Sequence, residues 1–539
     1  MQGHHSEKSI LNAGRAERPR TMATRRRPWT RGFPRAAAGL LAFGLLVPAS
    51  GAAGEPPFSL FAGPGGDSTG EFRLGARPWL APLPTGGIVV PAPWASVARE
   101  ADRSPAPAAD RPHRFFLAAG EVALGILVPW VYDRYVTNED FAHISWHTVS
   151  GNFKAGFGFD RDDFDTNQSY HPYQGSLFFE AGRSNGYGYW ESGLFALAGS
   201  FIWECCMEND RPSINDLVNT TLGGMTRGEV QHRLSIMVLD TTSTGSERFF
   251  REIGAAILNP IGAITRLAEG DVGRVYPNPD ERYPSGFAVS VDAGYRHVEE
   301  AEHENQALLT VDARYGDPFA GDLRQPFDSF WAAMDMDFPN PQPITRFEER
   351  GVLRGWDLSD TAAPARYLFE LTQDYEYFNN AAEVFGAQMF SAGVLSRYPL
   401  GNGVSAAAEL AASAIPLAGV KTIDFENPAT GRNYDYGPGG GVRAGVRIYL
   451  GARELLDVGY GVAWIATVNG FSDDNTLQFF RAEASVPIAG LLGAGGGYRW
   501  YSRKTSYSNG FFEPRQTQAE WRVFLRFAFG AEGLRAPRD

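Results

Sequence analysis

From Tyr283 onward the chain alternates apolar and polar residues in short segments bounded by Gly, Pro, Asn and Asp. A period of two places successive side chains on opposite faces of a β-strand. In FAVSVDAGYRH, Phe287, Val289, Val291, Ala293 and Tyr295 share one face, while Ser290, Asp292, Gly294 and Arg296 share the other. The pattern returns in ALLTVDARY, FWAAMDMDF, YLFELTQDYEY, VSAAAELAASA, VRAGVRIYL, LDVGYGVAWIA, FFRAEASVPI, LGAGGGYRW and AEWRVFLRFAF, with weaker segments near Gly351 and Gln388. That makes about twelve strands, an even number of the kind closed membrane barrels use.

A soluble antiparallel sandwich would also alternate, so the polar face decides between them. Here it carries full charges in mid-strand: Asp335, Asp337, Glu370, Asp374, Glu376 and Glu409 from earlier strands, Arg443, Arg447, Arg481, Arg499, Arg522 and Arg526 from later ones. The sorting is imperfect, with Arg296 and Arg314 early and Asp457, Glu483 and Glu520 late. A closed barrel would set acidic and basic walls facing each other across a narrow lumen, each partly neutralising the other. Tyr295, Tyr315, Phe338, Tyr377, Trp464, Trp500 and Phe529 sit near strand ends, which suits interfacial girdles. One feature departs from this pattern: Phe529 is followed by a charged tail, GAEGLRAPRD.

The start of the chain agrees with an envelope address. Met22 is a candidate initiator, followed by Arg25, Arg26, Arg27, Arg31 and Arg35, the apolar run AAAGLLAFGLLVPA and small residues at 50–53. These are the three parts of a secretory signal peptide, with cleavage expected near Ala53, and no lipobox cysteine is present. Residues 54–112 are rich in Pro, Gly and Ala and read as a linker. A formal charge of -13 argues against nucleic acid as a partner. The two cysteines, Cys205 and Cys206, are adjacent and cannot build a disulfide framework or a spaced zinc site; they read as inert buried side chains.

Residues 113–282 have helical spacing. FFLAAGEVALGILVPWVYDRY carries Glu121 in its body and, being short for a membrane span, is expected to pack inside the protein. The run DRDDFD, with Asp160, Asp162, Asp163 and Asp165, lacks the glycine and glutamate of a calcium loop and reads as a solvated acidic turn. A helix over 187–207 is apolar nearly all round and is expected to be buried. Ser213 then reads as an N-cap with Asp216 reaching back to it. Asn215 and Asn219 share a face of the next helix, whose Gly223, Gly224 and Gly228 either end it or admit another backbone.

The combination of HPYQGSLFFEAGRSNG, GSFIWE, PSINDLVNTTLGG and GEVQHR, in that order, resembles the bacterial family of the domain of unknown function 3943, by motif over residues 146–239. The resemblance implies an envelope protein of Gram-negative type and no established activity.

For chemistry, Glu229 and His232 form a Glu-x-x-His pair, able to present two metal ligands or a base and its orienter. A di-metal site needs two such pairs and only one is present; Glu204, Glu208 and His171 could complete a mononuclear site, but sequence alone does not bring them together. The plainer reading pairs Glu229 with Arg233 across one turn and leaves His232 in a buried hydrogen bond. A serine triad through Ser184 or Ser192 finds no G-x-S-x-G elbow. In GRSNG, Arg183 is expected to bond backbone or a carboxylate and Gly186 to need positive φ. Arg183, Asn185, Asn215, Asn219 and Arg233 thus form an expected structural polar cluster.

The expected architecture is α+β: an N-terminal helical domain over 113–282, an antiparallel transmembrane β-barrel of about twelve strands over 283–530, and a tail over 531–539. Buried polar residues in the helices need a polar partner, so the helices are expected to plug the lumen or cap its periplasmic mouth. The expected role is structural, or passage of a solute or lipid, with outer-membrane lipids and the barrel-assembly machinery as partners and no cofactor or resident metal. The rival is an outer-membrane enzyme using His171, Glu204, Asp216, Glu229 and His232 on a lipid or cell-wall substrate; a third reading is a soluble periplasmic binding protein.

Overall fold

A computed structural model describes residues 112–531 apart from residues 300–304, 322, 341, 361, 423–426, 428 and 509–514. The expected signal peptide, nearly all of the linker and most of the tail lie outside the described residues.

Strands β1 (Phe287–Val298), β2 (Asn305–Tyr315), β3 (Phe330–Phe338), β4 (Ile344–Asp357), β5 (Arg366–Asn379), β6 (Val384–Gly401), β7 (Val404–Lys421), β8 (Tyr434–Leu450), β9 (Arg453–Ala466), β10 (Asp474–Ala489), β11 (Leu492–Ser506) and β12 (Arg515–Ala531) form a closed antiparallel barrel. Closure leaves no unpaired edge, which a membrane interior would penalise. The seam between β1 and β12 pairs Asp292 with Arg526 in register, and their side chains meet at 2.7 Å. Tight turns at Asn402–Gly403, Gly451–Ala452 and Gly490–Leu491 mark the end that also holds the start of β1 and the end of β12. The soluble sandwich is therefore replaced by a transmembrane-type barrel.

Charges of the polar face pair inside it. Asp335 takes Arg346 and Arg522 at 2.8 Å each, Arg499 at 3.4 Å, and the Thr310 hydroxyl at 2.7 Å. Arg296, fully buried, bonds Asp337 and meets Glu520 at 2.7 Å. Glu409 receives Arg350 at 2.9 Å and Arg443 at 2.6 Å. The acidic and basic residues thus bond directly across the lumen. Toward the loop end an apolar layer follows, with Phe378, Phe385, Met389, Ile415, Ile465, Leu477 and Tyr501 packed together. At the turn end, residues between β2 and β3 fold over the mouth: Asp317 pairs with Arg397 at 3.0 Å, and Phe319 and Leu323 pack on Leu368. The lumen retains cavities of about 110 and 60 Å³ among the arginines. Ligand sites usually need about 300 Å³ or more, so these suit ordered water.

The helices are α1 (Phe115–Tyr132), α2 (Trp146–Ala155), α3 (His171–Ser184), α4 (Tyr189–Ile202), α5 (Ile214–Val218), α6 (Gly224–Val238), α7 (Gly245–Leu258) and α8 (Pro260–Glu269). Wide π-type turns at Thr166–Tyr170, Trp203–Met207 and Asn219–Gly223 lead into α3, continue α4 and join α5 to α6. Gly223 and Gly224 do not stop the chain. A Cβ on Gly224 would lie 2.4 Å from the backbone of Gly175, so two glycines let α3 and α6 cross in contact. Gly186 has φ of 89°, and Ser213 caps α5 by accepting the Asp216 N–H, while the Asp216 carboxylate points elsewhere.

Neither plug nor periplasmic cap describes where these helices sit. Lumen-facing Asp374 and Glu376 alternate with Gln373, Tyr375, Tyr377 and Asn379, which must face outward, and it is this outward set that meets the helical domain. Tyr189 donates to Gln373 at 2.8 Å, Tyr375 to the carbonyl of Gln168, and Tyr377 to Asp165 at 2.7 Å. Phe164 packs on Tyr377 and Tyr434, and Tyr189 on Phe327. The helices therefore lie on the outer wall of the barrel, over its β2 to β8 side; a lumen already filled with ion pairs has no room for them. Tyr315 and Tyr377, expected in aromatic girdles, are buried in this contact. The DRDDFD turn is likewise pinned to the wall through Asp165 rather than solvated. On the opposite side Trp521, Val523, Leu525, Phe527 and Phe529 stand bare, 39–61% exposed.

Two helices depart from expected burial. In α4, Trp190, Leu194, Leu197 and Phe201 are exposed, and in α1, Leu124, Leu127, Val128 and Val131 are exposed. With its following π-turn, α1 forms a 23-residue helical run only 28% buried over its most apolar window. An apolar second face is stable where the solvent is hydrocarbon, so helices beside a transmembrane wall need no polar side.

Asp335→Asn should destabilise the barrel by ~3 kcal/mol or more, because three buried guanidiniums lose their shared carboxylate. A fall in the temperature at which the unboiled gel shift disappears checks it; an unchanged transition would contradict the ion-paired lumen.

Candidate functional site

Three elements bring ionisable side chains together inside the helical domain. His171 opens α3, Glu204 lies in the π-turn after α4, and Asp216 follows the N-cap of α5. One ligand-capable atom from each lies within 4.8 Å of the others, and all three residues are buried. His171 Nε2 is 3.4 Å from Asp216 Oδ1, and its Nδ1 is 3.3 Å from the Thr220 hydroxyl. Glu204 accepts the Ser213 N–H at 2.8 Å. Asn215 donates to Asp216 at 2.8 Å and to Asn167 at 2.9 Å, and Asn167 donates to Asp160 at 3.0 Å and to the Tyr434 hydroxyl of the barrel at 2.7 Å. A chain of bonded side chains thus runs from the site to the wall.

The environment separates the protonation states of this group. Burial pushes the His171 imidazole down to about 4 against a weaker upward pull from Asp160, so the ring is neutral near pH 7 and can accept a proton or ligate. Burial pushes Glu204 up to about 8, assisted by the charges of Asp160 and Asp162 although the Ser213 N–H opposes it. Asp216 is raised well above the usual range by burial and by the neighbouring carboxylates. A neutral base beside protonated acids is the arrangement that general acid–base chemistry uses, and one imidazole with carboxylates is also a donor set for a divalent metal.

Glu229 and His232 do not join this group. Arg183 donates to Glu229 at 2.7 and 3.1 Å, a two-pronged pairing, and Arg233 donates to it at 2.8 Å. Arg233 reaches on to the carbonyl of Pro326 at 2.8 Å and to Asp328 at 3.6 Å, so this cluster ties α3 and α6 to the β2–β3 connection. Burial alone would raise Glu229, but the two guanidiniums overcome it and hold the carboxyl at about 2. His232 turns instead toward Asn259, with 3.4 Å between side-chain nitrogens. Asn185 bonds Glu121 at 2.6 Å and the Ala181 carbonyl at 2.9 Å, which joins α1 to α3. Asn219 is fully buried and its amide has no hydrogen-bond partner among the described residues. Cys205 is buried, Cys206 partly so, and both are free.

Some polar residues escaped the sequence reading. Glu180 is fully buried with both carboxylate oxygens unpartnered, and burial raises it well above the usual range against the opposing charge of Arg227. Arg227 lies 4.1 Å over the Phe347 ring and 5.6 Å from that of Tyr173. A sequence signal existed at this contact: Glu349, Gln373 and Gln388 occupy outward strand positions, where lipid would tolerate no such side chain.

Residues 156–261 match the family described as Domain of unknown function (DUF3943). No curated protein matches the sequence. Among solved structures the chain is similar to a NanC porin, at 9% identity and TM-score 0.24, over 44% of this chain and 98% of that one. It is also similar to OmpT, an outer membrane protein of Vibrio cholerae, at 6% identity and TM-score 0.19, over 46% of this chain and 100% of that one. An anion-selective porin from Comamonas acidovorans is similar at 9% identity and TM-score 0.20, over 45% of this chain and 98% of that one.

Acid should loosen the Glu229 cluster. A carboxyl depressed to about 2 in the fold contributes stability that is full above the unfolded value near 4.5 and is lost as pH falls toward 2. Tryptophan fluorescence melts in detergent between pH 5 and pH 2.5 should show this loss. Glu229→Gln should cost ~3 kcal/mol at neutral pH and flatten the acid dependence; an unaltered acid profile would count against the cluster. The match to that family falls in the helical region, which is joined to a closed twelve-stranded barrel.

Proposed function

We propose that this protein is an outer-membrane enzyme acting on an envelope lipid, with the barrel as a sealed scaffold and the helical domain as the working half. The observation that carries the reading is the convergence of His171, Glu204 and Asp216 from three separate elements into one buried group. Structural helices rarely gather unpaired carboxylates around a histidine, because each costs desolvation that no cation offsets. Two further features support it. The lumen is spanned by ion pairs such as Arg443 with Asp374 at 2.9 Å, which disfavours passage through it. The bare apolar faces of α1 and α4 suit a domain bathed laterally by lipid, so a lipid substrate would approach from the side of the bilayer.

In this reading His171, held by Thr220 through Nδ1, presents Nε2 to take a proton from a water molecule that attacks the scissile linkage, while Glu204 gives a proton to the group that leaves. The substrate is of a class whose polar linkages lie at the headgroup, since only such bonds need acid and base together.

The experiment incubates purified, folded protein with vesicles of total outer-membrane lipid and follows lipid species by mass spectrometry, alongside planar-bilayer conductance. Wild type should convert a lipid and give no discrete channels, and Asp216→Asn should slow conversion by ~100-fold or more while keeping the unboiled gel shift. Stable conductance steps with no Asp216-dependent change in any lipid would overturn the reading in favour of solute passage.

A further inference from the structure

We infer that His171, Glu204 and Asp216, with Asp160 beside them, form a binding site for one divalent first-row metal ion such as Zn²⁺ or Mn²⁺. The inference rests on the reading of this group as the functional centre and adds the cofactor that the centre would hold, with Nε2 and the Glu204 carboxylate then serving as ligands in place of the base and acid roles given above.

Geometry comes first. An imidazole nitrogen and two carboxylate oxygens lie within 4.8 Å of one another, so a small closing movement would bring them to the donor spacing of about 3 to 4 Å that metal bonds of about 2.0–2.2 Å require. The ring is oriented for this. Its Nδ1 is engaged by Thr220, which leaves Nε2 as the atom facing the carboxylates. Outer partners hold the other donors in the way metal sites require: the Ser213 N–H on Glu204, and the Asn215 amide on Asp216.

Charge provides the independent observation. Glu204 and Asp216 are 1% and 3% exposed, and among the described residues neither has a lysine or arginine within ion-pair distance. Asp160 stands beside them, its N–H donating to the Asn215 side chain and its carboxylate accepting from Asn167. The guanidinium that Asp160 has, Arg432, stands 3.7 Å from Oδ1, whereas Oδ2 is shielded from solvent and has no partner. Elsewhere Asp335 and Glu409 in the lumen, and Glu229 in the helical domain, each meet guanidiniums directly. Two buried carboxylates and an imidazole gathered with no lysine or arginine against them would be satisfied together by a divalent ion. Mixed nitrogen and oxygen donors favour Zn²⁺ or Mn²⁺ over Ca²⁺, which prefers oxygen alone.

The test uses the full chain folded in detergent, stripped with EDTA and dialysed against Zn²⁺ or, separately, Mn²⁺. Bound metal is counted by plasma mass spectrometry, and Mn²⁺ coordination is read by electron paramagnetic resonance. Wild type should retain about one ion per chain and melt at a higher temperature with metal than without. His171→Gln and Asp216→Asn should each retain at least tenfold less, with an unboiled gel shift confirming the barrel. The surface control H143Q/H147Q should bind as wild type does. Wild type retaining less than about 0.1 ion per chain overturns the proposal without reference to any variant, as does loss of the ion in the surface control alone. Lipid turnover by a metal-free wild type would overturn the metal and leave the enzyme reading standing; a bound ion with no lipid turnover would do the reverse.

Discussion

Closure of an alternating sheet determines what everything else must do. Once β1 pairs with β12, every strand residue faces either a confined interior or the surroundings of the barrel, with no edge between them. Charges sent inward are stabilised by opposite charges: Asp335 gathers three arginines, and Arg296 lies fully buried between Asp337 and Glu520. The same closure that stabilises the barrel fills its lumen. The apolar layer around Phe378 and Tyr501 narrows one end, and Phe319 and Leu323 pack on Leu368 at the other.

With ion pairs occupying the interior, the helical domain attaches to the outer wall. Over β2 to β8 the outward positions carry tyrosines, methionines and even Glu349, Gln373 and Gln388, and the helices cover them. The polar bonds of that contact make the two parts one unit: Asn167 reaches Tyr434 from the same side-chain chain that holds Asp216. The Glu229 cluster does comparable work at the other end, bonding the helices to Pro326. Attachment to the wall and shape of the site are thereby coupled.

Much of the barrel was legible in the sequence because a period of two leaves a direct trace. The strands near Gly351 and Gln388 were faint because their outward faces are not uniformly apolar: Glu349 and Gln388 break the alternation. Those same residues held the clue to the docked domain, since a polar side chain facing out of a barrel must be covered. Reading the buried asparagines and acids of the helices as needing a polar partner was sound, but the partner was the outer wall and the residues themselves. At the site, His171, Glu204 and Asp216 lie far apart in sequence and come from three elements, and the close approach of α3 to the turn after α5, where a Cβ on Gly175 would meet the Thr220 carbonyl, helps bring them together. Glu229 and His232 had the more conspicuous spacing, and spacing alone could not reveal that Arg183 already occupies Glu229.

Placement of the helices outside the barrel is the claim on which the rest depends. It is tested most directly by disulfide trapping in a chain with Cys205 and Cys206 replaced by alanine. Gln168→Cys is paired either with Gly386→Cys, where an added Cβ would meet the Gln168 side chain, or with the adjacent Ala387→Cys, which faces the lumen beside Glu376. The account predicts rapid, near-complete bonding for the first pair and none for the second. Bonding of 168 to 387 and not to 386 would place the helices in the lumen and contradict it.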